Sequence, residues 1–75
     1  MAFGRVLRER RLALGLSQEA LALEAGVDRT FVSQLERGIR QPTLATLWKL
    51  AAVLRVAPSE LVRQMEPLSR SVARR

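Results

Sequence analysis

Apolar residues recur at intervals of three and four along most of the chain, the spacing that puts side chains on one face of a helix. The pattern predicts five helices, over residues 3–14, 18–25, 29–37, 44–54 and 58–65. Gly15, Gly26 and Gly38 follow the first three, as is common at helix ends. We therefore expect one all-α domain over residues 1–66, and a basic, disordered tail over 67–75 that has little to bury.

The second and third helices are predicted to form a helix-turn-helix. Ser17 and Asp28 stand where a side chain can cap each helix, and Gly26 can adopt the positive φ of a tight turn between them. In DNA-binding proteins with this arrangement, the second helix of the pair enters the major groove. The pattern thus predicts that the helix over residues 29–37 reads DNA.

The third helix has two faces of different chemistry. Val32, Leu35 and Glu36 share one face, and the opposite face carries polar side chains that can reach base edges. An arginine fork matches guanine, a glutamine can pair with adenine, and a threonine methyl can contact thymine. The residues expected to read bases are Arg29, Thr30, Ser33 and Gln34. The residues expected to contact the DNA backbone are Ser17, Gln18, Arg37, Arg40 and Thr43.

Two charged residues fall on faces that should be buried. Arg11 shares the apolar face of the first helix with Leu7 and Leu14, and Glu36 lies on the inward face of the third. Buried charges are normally paired. We expect Arg11 and Glu36 to form a structural ion pair that fixes how the first helix packs on the third.

The fifth helix offers more apolar surface than a small core needs, which indicates a dimer interface. The residues expected in that interface are Val56, Pro58, Leu61, Val62 and Met65.

Charge and composition narrow the function. A formal net charge of +6, from 13 basic and 7 acidic residues, favours a polyanionic partner. Cysteine and histidine are absent from the 75 residues, and the sequence contains neither a phosphate-binding loop motif nor a metal-ligand cluster. We therefore expect no enzyme activity, no metal and no cofactor. The sequence has no apolar run long enough for a membrane span and no secretory leader, so we expect a cytoplasmic protein.

The run GLSQEALALEAGVDRTFVSQLERGIRQPTLATLWKLAAVL, over residues 15–54, closely resembles the XRE-type, phage-repressor-like (Cro/repressor) helix-turn-helix family. The resemblance covers about residues 3–62, and the elements Leu-Ser-Gln, Ala-Gly-Val, Leu-Glu-Arg-Gly and Pro-Thr-Leu fall at the family's spacing. It implies a compact five-helix bundle of the lambda-repressor kind, and two-fold dimers on a (pseudo)palindromic operator.

The resemblance also implies roles for single positions. Gln18 matches a phosphate-binding glutamine, and Arg29, Thr30 and Gln34 match recognition-helix positions that touch bases. The segments DRTFVS (28–33) and ER (36–37) look like the small controller proteins of restriction–modification systems, in which the position of Arg40 also reaches DNA. Gln34 departs from that pattern, because some controllers have a smaller residue there.

Together these observations predict a homodimeric, sequence-specific regulator of transcription that binds double-stranded DNA. Repression by covering a promoter is the expected mechanism, and the sequence leaves open an activating contact with RNA polymerase through Glu19 or Leu23. The alternative is an antitoxin or adaptor that uses the same fold chiefly to bind a partner protein. Non-specific packing of DNA is a third alternative.

Overall fold

The five predicted helices are all present. The computed structural model describes the backbone of residues 2–73 and the side chains of residues 3–65, and the described backbone contains no strand. The helices are α1 (Ala2–Ala13), α2 (Gln18–Ala25), α3 (Arg29–Glu36), α4 (Leu44–Leu54) and α5 (Pro58–Ala73). The predicted end of the fifth helix at Met65 is wrong, since the backbone of residues 67–73 is helical. The prediction rested on how little the residues after 65 have to bury. The side chains of residues 66–75 lie outside those described, so the domain boundary at residue 66 stays a prediction.

The turn between α2 and α3 forms largely as the sequence predicts. Ser17 Oγ accepts a hydrogen bond from the backbone N–H of Ala20 at 3.0 Å, and Gly26 ends α2 with a φ of 73°. Asp28 occupies the N-cap position of α3 with extended backbone, but its side chain makes no capping hydrogen bond. The predicted side-chain cap at Asp28 is therefore wrong. Its carboxylate lies instead beside a hollow that Arg40 also lines.

All five helices contribute to one core. Its apolar side chains are Phe3, Val6, Leu7, Leu21, Ala22, Ala25, Val32, Leu35, Leu47, Leu50, Ala51, Leu54 and Leu61. Leu14 was predicted on the apolar face of the first helix but follows the last residue of α1, and Leu44 is the first residue of α4. Both side chains are exposed.

Helices α1 and α3 approach each other at Gly4. A Cβ atom at this position would lie 2.5 Å from the backbone oxygen of Leu35 and 2.6 Å from that of Glu36. Only glycine, which has no Cβ atom, allows the backbones of α1 and α3 to come this close. The contact holds α1 against the C-terminal end of α3, so Arg8 and Arg11 of the next turns lie beside the exposed face of α3.

Helix α5 packs on α1 through an apolar and a polar contact. Leu61 is fully buried, and Glu60 lies 3.7 Å from Arg10 and 2.9 Å from Arg63. Hydrogen bonds from Arg63 and Gln64 hold the pKa of Glu60 below its usual value. Within residues 2–73, no helix is long and apolar enough to cross a membrane.

Candidate nucleic-acid interface

The outer face of α3 is polar and rigidly supported. Val32 and Leu35 anchor the helix in the core, while Arg29 and Thr30 are exposed at its first turn. Ser33 and Gln34 are half-buried on the same side. The predicted division of the helix into an apolar and a polar face is confirmed, and the bases that the polar face contacts stay a prediction.

Two hollows flank this face. The α1–α3 hollow has a volume of about 180 Å³, and its lining residues are Arg8, Arg11, Gln18, Ser33, Glu36 and Arg37. The loop hollow lies toward the start of α3, and its lining residues are Asp28, Thr30, Phe31, Gln34 and Arg40. Ser33 thus lines the same hollow as residues that are expected to contact the DNA backbone. Thr30 and Gln34 line the loop hollow together with Arg40.

The predicted ion pair between Arg11 and Glu36 is confirmed. Arg11 Nε donates to Glu36 Oε2 at 2.6 Å and Arg11 Nη2 donates to Glu36 Oε1 at 3.0 Å, a two-pronged contact that suits a guanidinium and a carboxylate. The side chains of Arg11 and Glu36 are 9% and 4% exposed. The hydrogen bonds that Arg11 donates to Glu36 raise the pKa of Arg11 above its usual value.

Two further groups complete this network. Arg11 Nη1 donates to the carbonyl oxygen of Leu16 at 2.8 Å, and Gln18 Nε2 donates to Glu36 Oε1 at 3.0 Å. No buried polar side-chain atom in the described part of the chain lacks a hydrogen-bond partner. The ion pair therefore links α1 and α3, and it also orients Gln18 at the start of α2.

The residues expected at the DNA backbone differ in the donors that they have available. Arg37 and Arg40 are exposed. The Ser17 oxygen accepts the α2 cap bond, which leaves the hydroxyl proton for an acceptor outside the chain. Thr43 Oγ1 both accepts from the Thr46 N–H at 3.1 Å and donates to Thr46 Oγ1 at 3.0 Å, so its hydroxyl is already engaged. Gln18 uses one of its two amide protons on Glu36.

Sequence reasoning missed Arg8 as a member of this surface. Arg8 is an exposed residue of α1, and an exposed arginine by itself indicates no binding role. The structure brings it to the α1–α3 hollow with Arg37, across the contact at Gly4. The signal in the sequence was its position three residues before Arg11, because residues at that spacing are neighbours on a helix.

The predicted dimer interface is partly wrong. Leu61 is fully buried in the chain's own core, so it cannot contact a second subunit. Val56 and Met65 are partly buried against that core, and their place in the interface stays a prediction. Pro58 and Val62 do line an open apolar groove between α4 and α5. The lining residues of this α4–α5 groove are Leu44, Leu47, Trp48, Pro58, Ser59, Val62 and Arg63. Leu44, Trp48 and Val62 are 74%, 59% and 47% exposed.

A five-helix fold that presents the second helix of a helix-turn-helix on its surface defines a DNA-binding domain of the phage-repressor kind. The helix-turn-helix family model matches residues 7–61. The chain belongs to the XRE-type helix-turn-helix family of transcriptional regulators.

Individual relatives agree with this assignment. The control protein C.BamHI of Bacillus amyloliquefaciens is 38% identical over 63 residues, which cover 83% of this chain and 78% of that protein. The crystal structure of the restriction–modification controller protein C.AhdI from Aeromonas hydrophila superposes with a TM-score of 0.78 at 50% identity, covering 80% of this chain and 91% of that one. SinR of Bacillus subtilis in complex with DNA superposes with a TM-score of 0.77 at 33% identity, covering 80% and 97% of the two chains.

Proposed function

We propose that the protein binds a (pseudo)palindromic DNA operator as a homodimer and regulates transcription from it. The observation that carries the proposal is the outer face of α3. Exposed Arg29 and Thr30 and half-buried Gln34 project from a helix that the core holds rigidly, with arginines in the hollows on both sides. A rigid helix with this chemistry suits the major groove, which is wide enough to admit one helix.

The proposal assigns base readout to the first turns of α3. Arg29 has the planar fork that fits the O6 and N7 atoms of guanine, and Thr30 offers a methyl group to thymine. Gln34 lines the loop hollow with Arg40, so a base contact by the amide and a backbone contact by the guanidinium are compatible. Ser33 lies nearer the α1–α3 hollow, which favours a contact at the edge of the groove.

The backbone contacts come from the elements around α3. Arg37 follows its last turn, Arg40 lies in the next loop, and Gln18 opens α2. Cations and amide donors at these places neutralise or bind phosphates and set the register of the protein on the duplex. Of the remaining candidates, Ser17 has a proton to donate, while the engaged hydroxyl of Thr43 makes it the weakest member of the set.

The homodimer is proposed to form through the α4–α5 groove. Leu44, Trp48 and Val62 expose apolar surface around one concave region, where burial against a second copy removes it from water. The proposal requires a two-fold axis there that sets the two α3 helices about 34–36 Å apart, one turn of DNA.

Two wider parts of the proposal concern regulation. Relatives that are named as controller proteins support a role of that kind in a restriction–modification system, acting on DNA in the cytoplasm. Glu19 and Leu23 are exposed on α2, and a contact of RNA polymerase with them would turn repression into activation. A reporter gene behind the chain's own upstream region measures the direction of regulation.

Selection of bound duplexes from a random-sequence pool tests the proposal. We expect an inverted repeat whose half-sites are centred about 10 bp apart. Selection that yields no shared sequence contradicts the proposal and favours non-specific binding. If the protein retains no duplex and a partner protein co-purifies with it in stoichiometric amount, the antitoxin or adaptor alternative is favoured.

A further inference from the structure

The α1–α3 hollow brings together two arginines from distant parts of the sequence. Arg8 comes from α1 and Arg37 from the end of α3, and both side chains are exposed. Among the side chains of residues 3–65, neither forms an ion pair with an acidic residue. Two cations held at one concave site repel each other unless an anion lies between them.

The acidic residue at this site is already neutralised. Both carboxylate oxygens of Glu36 accept hydrogen bonds from Arg11, and Oε1 also accepts from Gln18. With a 4% exposed side chain, Glu36 offers little negative charge to an incoming anion. The hollow therefore keeps the uncompensated positive charge of Arg8 and Arg37.

Neutral donors converge on the same hollow. Gln18 has a second amide proton that the bond to Glu36 leaves available, and Ser33 has a hydroxyl. Gln18 is also the first residue of α2, where backbone N–H groups lack partners inside the helix and favour negative charge. A phosphate group can accept hydrogen bonds from charged and neutral donors on several sides at once.

We propose that the α1–α3 hollow binds a single phosphate of the DNA backbone, shared by Arg8 and Arg37, with Gln18 held in place by Glu36 as a neutral donor. The proposal rests on the DNA-binding function proposed above and adds α1 to the contact surface. Because one phosphate is shared, either arginine alone still neutralises part of its charge.

The salt dependence of DNA binding tests this proposal. Dissociation constants are measured between 0.05 and about 0.3 M salt for the full chain, on a duplex recovered by selection and on a random-sequence duplex. The variants are Arg8→Gln, Arg37→Gln, their combination, and Arg8→Lys, which keeps the charge. Arg55→Gln is the matched control, since Arg55 is exposed at the end of α4 and lines neither hollow.

Because a homodimer carries two such hollows, the double variant should lower the slope of log K against log salt by about 1.8, or about 0.9 for the phosphate of each subunit, and weaken binding about 60-fold at 0.1 M salt. Both duplexes should lose affinity by the same factor, and Arg8→Lys should keep the parent's slope. A slope change of about 3.6 for the dimer indicates two separate phosphates in each subunit and overturns the proposal. So does an Arg8→Gln variant that behaves like Arg55→Gln.

The outcomes separate this proposal from the function on which it rests. A parent chain without sequence preference, whose double variant still loses about 0.9 of slope for each bound subunit, contradicts the operator and keeps the phosphate site. A parent with a strong preference and an unchanged slope in the double variant contradicts the phosphate site and keeps the operator. A chain that binds neither duplex refutes both.

Discussion

The ion pair between Arg11 and Glu36 predicts an asymmetry between single and double substitutions. Arg11→Met or Glu36→Leu alone leaves the other charge buried, at 4% or 9% side-chain exposure, without its partner. The double variant removes both charges and puts apolar side chains of similar length in their place. The single variants should therefore be much less stable than the double variant.

The expected magnitudes follow from the burial of the pair. Removing one member of a buried, hydrogen-bonded ion pair typically costs about 3–5 kcal/mol, whereas replacing the whole pair with apolar residues is often close to neutral. A domain of this size has a free energy of unfolding of roughly 4–11 kcal/mol. Each single substitution should thus lower the Tm by at least about 12 °C. The double variant should come within about 1–2 kcal/mol of the parent, because Gln18 and the carbonyl of Leu16 lose one partner each.

Thermal and urea unfolding followed by circular dichroism measure these differences. Arg10→Met serves as the control, since Arg10 lies on the same helix but contacts Glu60 at 3.7 Å from a position that is about one-third exposed. A surface contact of this kind contributes little, so the control should unfold near the parent's Tm. If both single variants also keep the parent's Tm, the reasoning about the buried pair is refuted.

Two further predictions concern the packing of α1 and the α4–α5 groove. Gly4→Ala should destabilise the fold by about 1–3 kcal/mol, since its Cβ would meet the backbone oxygens of Leu35 and Glu36 and this overpacking exceeds the gain in helix propensity of up to about 1 kcal/mol; an equal or higher Tm would contradict the close approach. Val62→Asp should shift the chain from dimer to monomer in sedimentation equilibrium and weaken operator binding, because it places a charge in the groove. Ala52→Asp adds the same charge at an exposed α4 position outside the groove and should leave the dimer intact, so equal behaviour of the two variants would refute this interface.

Elements set by local chemistry were predictable from the sequence. The Ser17 cap, the positive φ at Gly26 and the apolar spacing of α4 depend on residues within a few positions of each other, and the structure agrees with each. The Arg11–Glu36 pair spans 25 positions and was also predicted, because two charges on apolar faces left few other partners.

Features that depend on how helices pack were not predictable in the same way. Leu61 fits the apolar stripe of α5 equally well as a core residue or as a dimer contact, and only the position of α1 shows that the chain's own core buries it. Arg8 lies in one hollow with Arg37 because the backbones of α1 and α3 approach closely at Gly4. The spacing of residues along the sequence does not show that approach. The fifth helix was predicted to end at Met65 because the residues beyond it have little to bury, but backbone hydrogen bonds can continue a helix past its last buried side chain.

The central claim is that α3 reads base sequence, and the binding preference of an Arg29→Ala variant tests it most directly. The ratio of the dissociation constant for a shuffled duplex to that for a selected duplex is measured for the parent, for Arg29→Ala and for Arg40→Ala. Arg29→Ala should reduce this ratio about 5- to 150-fold for each of the two half-sites, the value of one bidentate contact to a base, while Arg40→Ala should weaken binding to both duplexes alike. An Arg29→Ala variant that discriminates between the two duplexes as well as the parent does would contradict the claim.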